Sequence, residues 1–302
     1  MQDELLSKIT DYKIDNSVAH NIRKNGESIS RVETENIKIE TKKDKPGIDV
    51  FIKENTKEEY VHIPVIITVT DYEETVYNDF YVGKNADVTI VAGCGIHNEC
   101  ETKSAHNGIH TFHIEPGANV KYIEKHYADG LYDNNKYINT DTIINLKNNS
   151  SMIMETAQIS GIDKAIRRTE ATLNDNTTLK IKETLMSDNK EEIETNFDIK
   201  MNGKNSNADV SSKSVARKES YQRFNSNVEG NTKCFAHVSC DAIVMEKSRV
   251  TSTPSIIANS KEAEMSHEAV IGKIATDQIT KLMTLGLTEN EAEEKILEGF
   301  LK

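Results

Sequence analysis

The sequence lacks tryptophan and contains four prolines, four cysteines and 14 glycines among its 302 residues. Its apolar runs, such as Val65-Ile66-Ile67, are far shorter than the roughly 20 residues that cross a bilayer. Four cysteines in a chain of this length argue against a disulfide framework. Because hydrophobic residues make up 36% of the chain, the composition favours a shape with much surface per residue, such as a solenoid.

Positive charge is also scarce, with 37 Lys and Arg against 49 Asp and Glu, which gives a net charge of -12. This balance disfavours binding to nucleic acid or to an anionic membrane, because both require dense basic residues. The start of the chain, Met1-Gln2-Asp3-Glu4, shows neither the basic nor the apolar region of a secretory signal. We therefore expect a cytoplasmic protein, whose acidic surface can still meet a basic protein partner.

A turn of small or polar residues followed by a strand recurs through the middle of the chain. The repeated strands begin at Val88, Val120, Met152, Leu179 and Val210, with steps of 32, 32, 27 and 31 residues. This spacing predicts stacked units, each burying its apolar face on the next. Helical patterns between the strands are missing, which argues against a doubly wound α/β sheet. A β-solenoid fits best, and a β-sandwich is the alternative.

The patterns at the two ends predict helices. Residues 1–30 are predicted to be helical or irregular, with alternating strands beginning near Ser28. The chain is accordingly divided into an N-terminal segment (1–30), a β core (31–274) and a C-terminal helical hairpin (275–302).

The hairpin carries clear helix signals. Thr276-Asp277 predicts an N-cap, Gly286 predicts the end of the first helix, and Thr288-Glu289-Asn290-Glu291 predicts a capping box for the second. A hairpin this short cannot bury its own apolar stripe. It must therefore pack either on the solenoid or on another protein.

Two polar segments in the last third are candidates for chemistry. Cys234 to Cys240 is typical of a strand, in which both thiols share one face and His237 lies on the other. Such thiols are either buried small hydrophobes or thiolate ligands. His267 and Glu268 interrupt a second strand-like run, residues 265–274, and are expected to point to opposite faces.

Five of the nine histidines lie between Gly93 and His126, in a window that also contains Cys94 and Cys100: His97, His106, His110, His113 and His126. Histidine is a common metal ligand, so a metal-dependent β-solenoid enzyme is an alternative function. His110 and His113 are three residues apart and should face opposite ways, unlike a cupin motif, whereas His106 and His110 can share a face. The absence of a Walker motif excludes ATP hydrolysis by that route.

Taken together, Cys240-Asp241, His267-Glu268-Ala269 through Ile274, and the tail with Gly286-Leu287, Ala292 and Gly299-Phe300 resemble the C-terminal core of SufB and SufD. These are the scaffold proteins of the SUF iron–sulfur cluster assembly machinery. The resemblance implies a mainly β fold, a right-handed parallel β-helix flanked by N-terminal and C-terminal helices. The resemblance leads us to expect the short form of minimal SUF-like systems, which lacks the long N-terminal extension of full-length SufB.

The resemblance also implies a function and partners. Two subunits pair through the β-helix, here as a homodimer, and a SufC-like ABC-type ATPase binds the C-terminal helices. The scaffold holds a transient 2Fe-2S or 4Fe-4S cluster and passes it to apo acceptor proteins, with no enzymatic activity of its own. A cluster-free structural adaptor, like SufD, is a further alternative.

Site residues follow from the same resemblance. The family's essential cysteine corresponds to Cys240 and its candidate carboxylate ligand to Glu268, with His267 adjacent. Cys234, Cys94 and His97 are weaker candidate ligands. The apolar residues of the tail are expected to bind the ATPase: Ile279, Leu282, Met283, Leu287, Ile296, Leu297 and Phe300.

Overall fold

The structure is a computed structural model that describes residues 2–10, 17–133 and 135–301. Its helices are α1 (Gln2–Ile9), α2 (Thr276–Thr284) and α3 (Glu289–Leu301). Its strands are β1 (Ala19–Lys24), β2 (Glu27–Val32), β3 (Ile37–Thr41), β4 (Gly47–Ile52), β5 (Glu59–Ile67), β6 (Tyr72–Val82), β7 (Asp87–His97), β8 (Ser104–Ile114), β9 (Asn119–Asp129), β10 (Lys136–Leu146), β11 (Ser151–Gln158), β12 (Lys164–Leu173), β13 (Thr178–Ser187), β14 (Glu192–Met201), β15 (Ser206–Ala216), β16 (Tyr221–Gly230), β17 (Cys234–Val244), β18 (Arg249–Ala258) and β19 (Ala263–Gly272).

From β4 onward, successive strands alternate between two sheets, which is the topology of a parallel β-helix of about eight turns. Sheet A has ten strands in the order β19-β17-β15-β13-β11-β9-β7-β5-β1-β2, and sheet B has nine in the order β18-β16-β14-β12-β10-β8-β6-β4-β3. Pairing is parallel except at the first hairpins, β1 with β2 and β3 with β4. The predicted β-helix is confirmed, and parallel pairing rules out the antiparallel β-sandwich.

The sequence repeat corresponds to one turn of this β-helix. Val88, Val120, Met152 and Leu179 occupy equivalent positions in neighbouring strands of sheet A, as predicted. The next equivalent residue is Ala208 rather than Val210, so the predicted step of 31 residues was two too long. Both residues face inward, and a shift of two residues keeps a strand's alternation unchanged, so the pattern alone could not distinguish them.

The N-terminal part differs from the prediction, because β1 starts at Ala19 and not near Ser28. Helix α1 lies across the outer face of sheet A and buries Leu5 and Ile9 against β5, β7 and β9. A Cβ atom at Gly93 would lie 3.0 Å from the Cβ of Ile9, so glycine there permits the close approach. This helix helps to explain why β5 is buried on both faces from Val61 to Ile67.

The C-terminal hairpin forms as predicted except at its start. The N-cap of α2 is Ala275, so the predicted N-cap at Thr276-Asp277 is wrong by one residue. Gly286 follows α2 with φ +96°, a left-handed conformation that favours glycine. The capping box is confirmed: the Thr288 N–H donates to the Glu291 carboxylate over 2.8 Å, and the Glu291 N–H donates to the Thr288 hydroxyl over 3.3 Å.

The last turn of the β-helix has one uncovered end. Strands β18 and β19 are the outermost strands of their sheets, and most of their side chains are exposed. Large apolar side chains remain in water there, at Ile256, Ile257, Val270 and Ile271.

Among the described residues, no helix is long and apolar enough to cross a membrane.

Candidate functional site

Cys240 lies inside the β-helix, one strand from its uncovered end. On β17 it shares the inward face with Cys234, Ala236 and Val238, as the alternation predicted, and it is 1% exposed. Burial raises the pKa of the Cys240 thiol to about 11, although the nearby Ser252 hydroxyl acts in the opposite direction. The thiol is therefore protonated at neutral pH until a metal ion or a change of environment favours the thiolate.

His267 lies on the same inward face as Cys240, on the neighbouring strand β19. Val238 pairs with His267 and Cys240 with Ala269, so the two side chains stand two positions apart along neighbouring strands. The Nε2 atom of His267 is buried and makes no hydrogen bond with a described residue. Burial and the nearby His237 lower the pKa of His267, so its imidazole is neutral and suited to ligating a metal.

Glu268, by contrast, points outward. It pairs with Ser239, and its side chain is 67% exposed. Its Oε1 lies 3.4 Å from Nε2 of His237, which is also on the outer face. The predicted ligand pair of Cys240 and Glu268 therefore does not converge within one subunit, because successive side chains of a strand leave on opposite faces.

The weaker candidates are dispersed. Cys234 is buried inside the last turns, and burial raises the pKa of its thiol. Cys94 is buried five strands from Cys240 in sheet A, and burial raises the pKa of its thiol well above the usual range. His97 lies nearer the surface, with Nδ1 2.5 Å from the Asp129 carboxylate. The structure does not bring these side chains together with Cys240.

The histidine-rich window brings three histidines into the interior, but its described residues do not assemble a metal site. His106, His110 and His126 are buried in the interior, whereas His113 lies on the outer face, stacked against Tyr81. Over the part of the chain that the structure describes, no group of three or more His, Cys, Asp and Glu side chains could hold a metal ion. The described residues therefore show no assembled site for the alternative function, a metal enzyme that uses these histidines.

A row of polar residues inside the β-helix was not anticipated from the sequence. Glu124, Thr156, Glu183, Ser212 and Cys240 occupy the same position in five neighbouring strands of sheet A, and all are buried. The Ser212 hydroxyl donates to the Glu183 carboxylate over 2.8 Å. The positions of these five residues in the sequence reveal the row only when the register between the strands of sheet A is known.

Arg167, on β12 of sheet B, neutralises this row. Its guanidinium donates to the Glu124 carboxylate over 2.8 Å and to Nδ1 of His126 over 3.0 Å. Its Nε lies 3.6 Å from Glu183. His126 and Arg167 hold the pKa of Glu124 far below its usual value, whereas burial raises the pKa of Glu183. The interior thus contains an ionic network beside its apolar core, and within the polar row the buried Thr156 hydroxyl has no hydrogen-bond partner among the described residues.

The predicted partner-binding residues are unevenly buried. Leu297 is buried against the rest of the chain, whereas Met283 is 44% exposed and α2 contains no buried residue. Helix α3 contacts β15, Arg217 pairs with Glu294, and the Lys213 ammonium lies over the Phe300 ring. The hairpin packs on the β-helix through α3 and leaves much of α2 in solvent.

Comparison with known proteins agrees with this architecture. Residues 74–300 match the family model described as "SUF system FeS cluster assembly, SufBD core domain", which covers about three quarters of the chain. The chain belongs to the SufBD family. The matched span starts on β6, runs through the β-helix and ends in α3, and it includes Cys240, His267 and Glu268.

Archaeal members of the SufBD family align over most of the chain. An iron-sulfur cluster assembly SufBD family protein of Pyrococcus horikoshii is 24% identical over 261 residues, covering 85% of this chain and 57% of the relative. One from Methanocaldococcus jannaschii is 25% identical over 264 residues, covering 83% of this chain and 79% of the relative. The chain spans little more than half the length of several of its SufBD relatives.

Proposed function

We propose that this protein is a scaffold on which a transient iron–sulfur cluster is assembled, with the work of ATP hydrolysis done by a SufC-like ABC-type ATPase. Membership of the SufBD family carries this proposal and supports a role in iron–sulfur cluster assembly. The protein acts as a binding platform for the cluster and for its partners, and it delivers the cluster to apo acceptor proteins.

The uncovered end of the β-helix supports self-pairing. An outermost strand presents unpaired backbone N–H and C=O groups, and soluble proteins usually protect such edges. Here β18 and β19 combine open edges with exposed apolar side chains, including Ile257 and Val270. A second copy placed on this end would cover both features and would form a homodimer with Cys240 and His267 next to the interface.

Cys240 and His267 are the ligands that we propose within each subunit. A thiol and a neutral imidazole on one face match the donor atoms that hold iron–sulfur clusters, in which histidine sometimes replaces cysteine. The buried, unpartnered Nε2 of His267 supports this choice. Two protein ligands per subunit would hold a cluster less firmly than four thiolates, which suits a scaffold that must release it.

The C-terminal hairpin is the proposed docking site for the ATPase. Met283 and Leu285 are exposed, and Ile279, Leu282, Leu287, Ile296 and Phe300 are half-buried, so partner contact could remove further apolar surface from water. Movement of an ATPase held there could be transmitted through α3 to the last turns of the β-helix, where the uncovered end lies.

Anaerobic purification followed by iron and acid-labile sulfide analysis tests the proposed function. We expect iron and sulfide in equal amounts after reconstitution, with at most one cluster per two chains. Tightly bound zinc without sulfide would instead indicate the metal enzyme. Full cellular function after replacement of all four cysteines would indicate the cluster-free adaptor.

A further inference from the structure

We infer that Leu131 and Tyr132, together with the carboxylates around them, form a docking surface for a basic, amphipathic segment of a partner protein. The two residues follow β9 at one edge of the β-helix. Their exposed fractions are 77% and 42%, so two adjacent large hydrophobic side chains remain in water. This surface belongs neither to the C-terminal hairpin nor to the uncovered end, and the inference does not depend on cluster assembly.

A buried lysine holds this exposed pair in place. Lys136 is 3% exposed, and its ammonium lies 2.9 Å from the side-chain oxygen of Asn135 and 3.2 Å from the Asp163 carboxylate. The same ammonium donates to the carbonyl of Tyr132. All three of its donor positions therefore have an acceptor, which offsets the cost of burying the charge. Side chains that are fixed before binding lose less conformational entropy when a partner arrives.

The neighbouring loop, residues 98–103, is tied to the same base. The side chain of Asn98 is buried, and its oxygen accepts the Cys100 N–H over 2.8 Å. The Asn135 side chain donates to the Cys100 carbonyl and so joins the two segments. A Cβ atom at Gly130 would lie 1.8 Å from the carbonyl oxygen of Asn98, so this contact requires glycine. The two segments thus form one preorganised surface.

The charge of this surface selects a basic partner. Four carboxylates belong to the two segments: Glu99, Glu101, Asp129 and Asp133. His97 lies 3.4 Å from Glu99 and 2.5 Å from Asp129, and it partly offsets them when it is protonated. Lys103 is paired with Glu73 over 2.9 Å. A second copy of a chain with a net charge of -12 would be repelled here, whereas a segment rich in Lys or Arg would be attracted.

A groove of about 390 Å³ beside the exposed pair gives such a segment room. Its walls are formed by Asp133, Asp163, Asn189, Lys190, Lys218 and Glu219. Lys218 is already paired with Asp188 over 3.1 Å. An amphipathic helix can place its apolar side on Leu131 and Tyr132 and direct its basic side chains to the surrounding carboxylates.

Fluorescence anisotropy with a labelled synthetic peptide tests the inference. The probe is an acetylated peptide of about 14 residues, with leucine on one helical face and lysine on the other. Leu131→Ser with Tyr132→Ser should weaken its binding to the full chain at least about tenfold. Glu99→Gln with Glu101→Gln should also weaken binding and reduce its dependence on salt. Far-UV circular dichroism verifies the fold of each variant.

Matched controls separate this surface from a general attraction to an acidic protein. Ile153→Ser, at an exposed position of sheet A, and Glu170→Gln with Asp198→Asn, on the outer face of sheet B, should bind the peptide like the wild type. A dye on Cys100, the exposed thiol beside the surface, should respond to the peptide.

Three results would overturn the inference. The first is equal affinity in all variants, which would show only attraction to the net charge. The second is a dye on Cys100 that does not respond at saturating peptide. The third is loss of self-association in the Leu131 and Tyr132 variant by light scattering, because the occupant would then be a second copy of the chain.

Discussion

Cys240 and Glu268 lie on neighbouring strands at the last turn of the β-helix, yet their side chains leave sheet A on opposite faces. Cys240 pairs with Ala269, the residue that follows Glu268, so the alternation of the strand separates the two groups. The resemblance to SufB and SufD had placed both on one cluster. Within a subunit, the inward group is instead Cys240 with His267, and the outward group is Glu268 with His237.

Arg167 should be far more important for stability than its sequence neighbour. Arg167→Met removes the guanidinium that is ion-paired with the buried Glu124 carboxylate, and breaking such a buried ion pair costs about 3–5 kcal/mol. Urea denaturation measures this loss. The control is Arg168→Met, which removes an exposed pair with Asp141 and should cost less than about 1 kcal/mol. Equal losses in the two variants would show that the interior network is not a source of stability.

Glu191 should make the protein less stable as the pH rises. Burial raises the pKa of its carboxyl to about 7 from the ordinary 4.5, so the folded state binds the proton more tightly than the unfolded state. The favourable contribution is complete below about pH 4.5 and is lost as the pH rises through 7. The shift corresponds to about 3 kcal/mol.

Unfolding free energies at pH 5 and pH 8 check this dependence. Glu191→Gln should remove most of the difference between the two pH values. Glu192→Gln, at the exposed neighbouring position, should keep it. A wild type and Glu191→Gln variant with the same pH dependence would exclude Glu191 as the responsible group.

The apolar side of the hairpin should be required for ATPase binding. Replacing Leu287 and Phe300 together by Ala should weaken binding of a co-produced SufC-like ATPase about 100-fold, because each buried side chain of this size contributes roughly 1.5–3 kcal/mol. Affinity co-purification measures the effect, with exposed Phe235→Ala on sheet A as control. If the double variant does not fold, Leu287 and Phe300 serve to pack the hairpin on the β-helix. If it folds and still binds the ATPase, the ATPase docks on another surface.

Charge on the uncovered end should prevent self-pairing. Ile257→Lys with Val270→Lys places two ammonium groups on exposed positions of β18 and β19. We expect a dimeric wild type to become monomeric by light scattering, since burying unpaired charges opposes association. Ile153→Lys, at an exposed position in the middle of sheet A, should leave the dimer intact. A dimer that survives the first change must use another surface.

Much of the fold was predictable because each turn of a β-helix repeats a local pattern. The turn-and-strand signal located equivalent residues from Val88 to Leu179, and the caps of the hairpin are encoded within a few residues of one another. The step to Ala208 was misplaced because alternation cannot detect a shift of two. The covering of sheet A by α1 could not be foreseen, since Leu5 and Ile9 meet partners on β7 that are more than 80 residues away in sequence.

The candidate site was only half predictable. Motifs singled out Cys240, His267 and Glu268 as candidates, and alternation correctly assigned His267 and Glu268 to opposite faces. It did not show that Glu268 stands beside His237, because that requires the register between β17 and β19. The interior network around Arg167 was missed for a different reason: charged residues on a strand are ordinarily taken as solvent-facing.

Anaerobic reconstitution of Cys240→Ser with iron and sulfide tests the central claim most directly. The wild type and Cys100→Ser, which changes an exposed thiol, should both develop the sulfur-to-iron charge-transfer band. Cys240→Ser should lose the band and its bound sulfide while remaining folded. A Cys240→Ser protein that loads as much iron and sulfide as the wild type would contradict the assignment of Cys240 as the cluster-binding thiol.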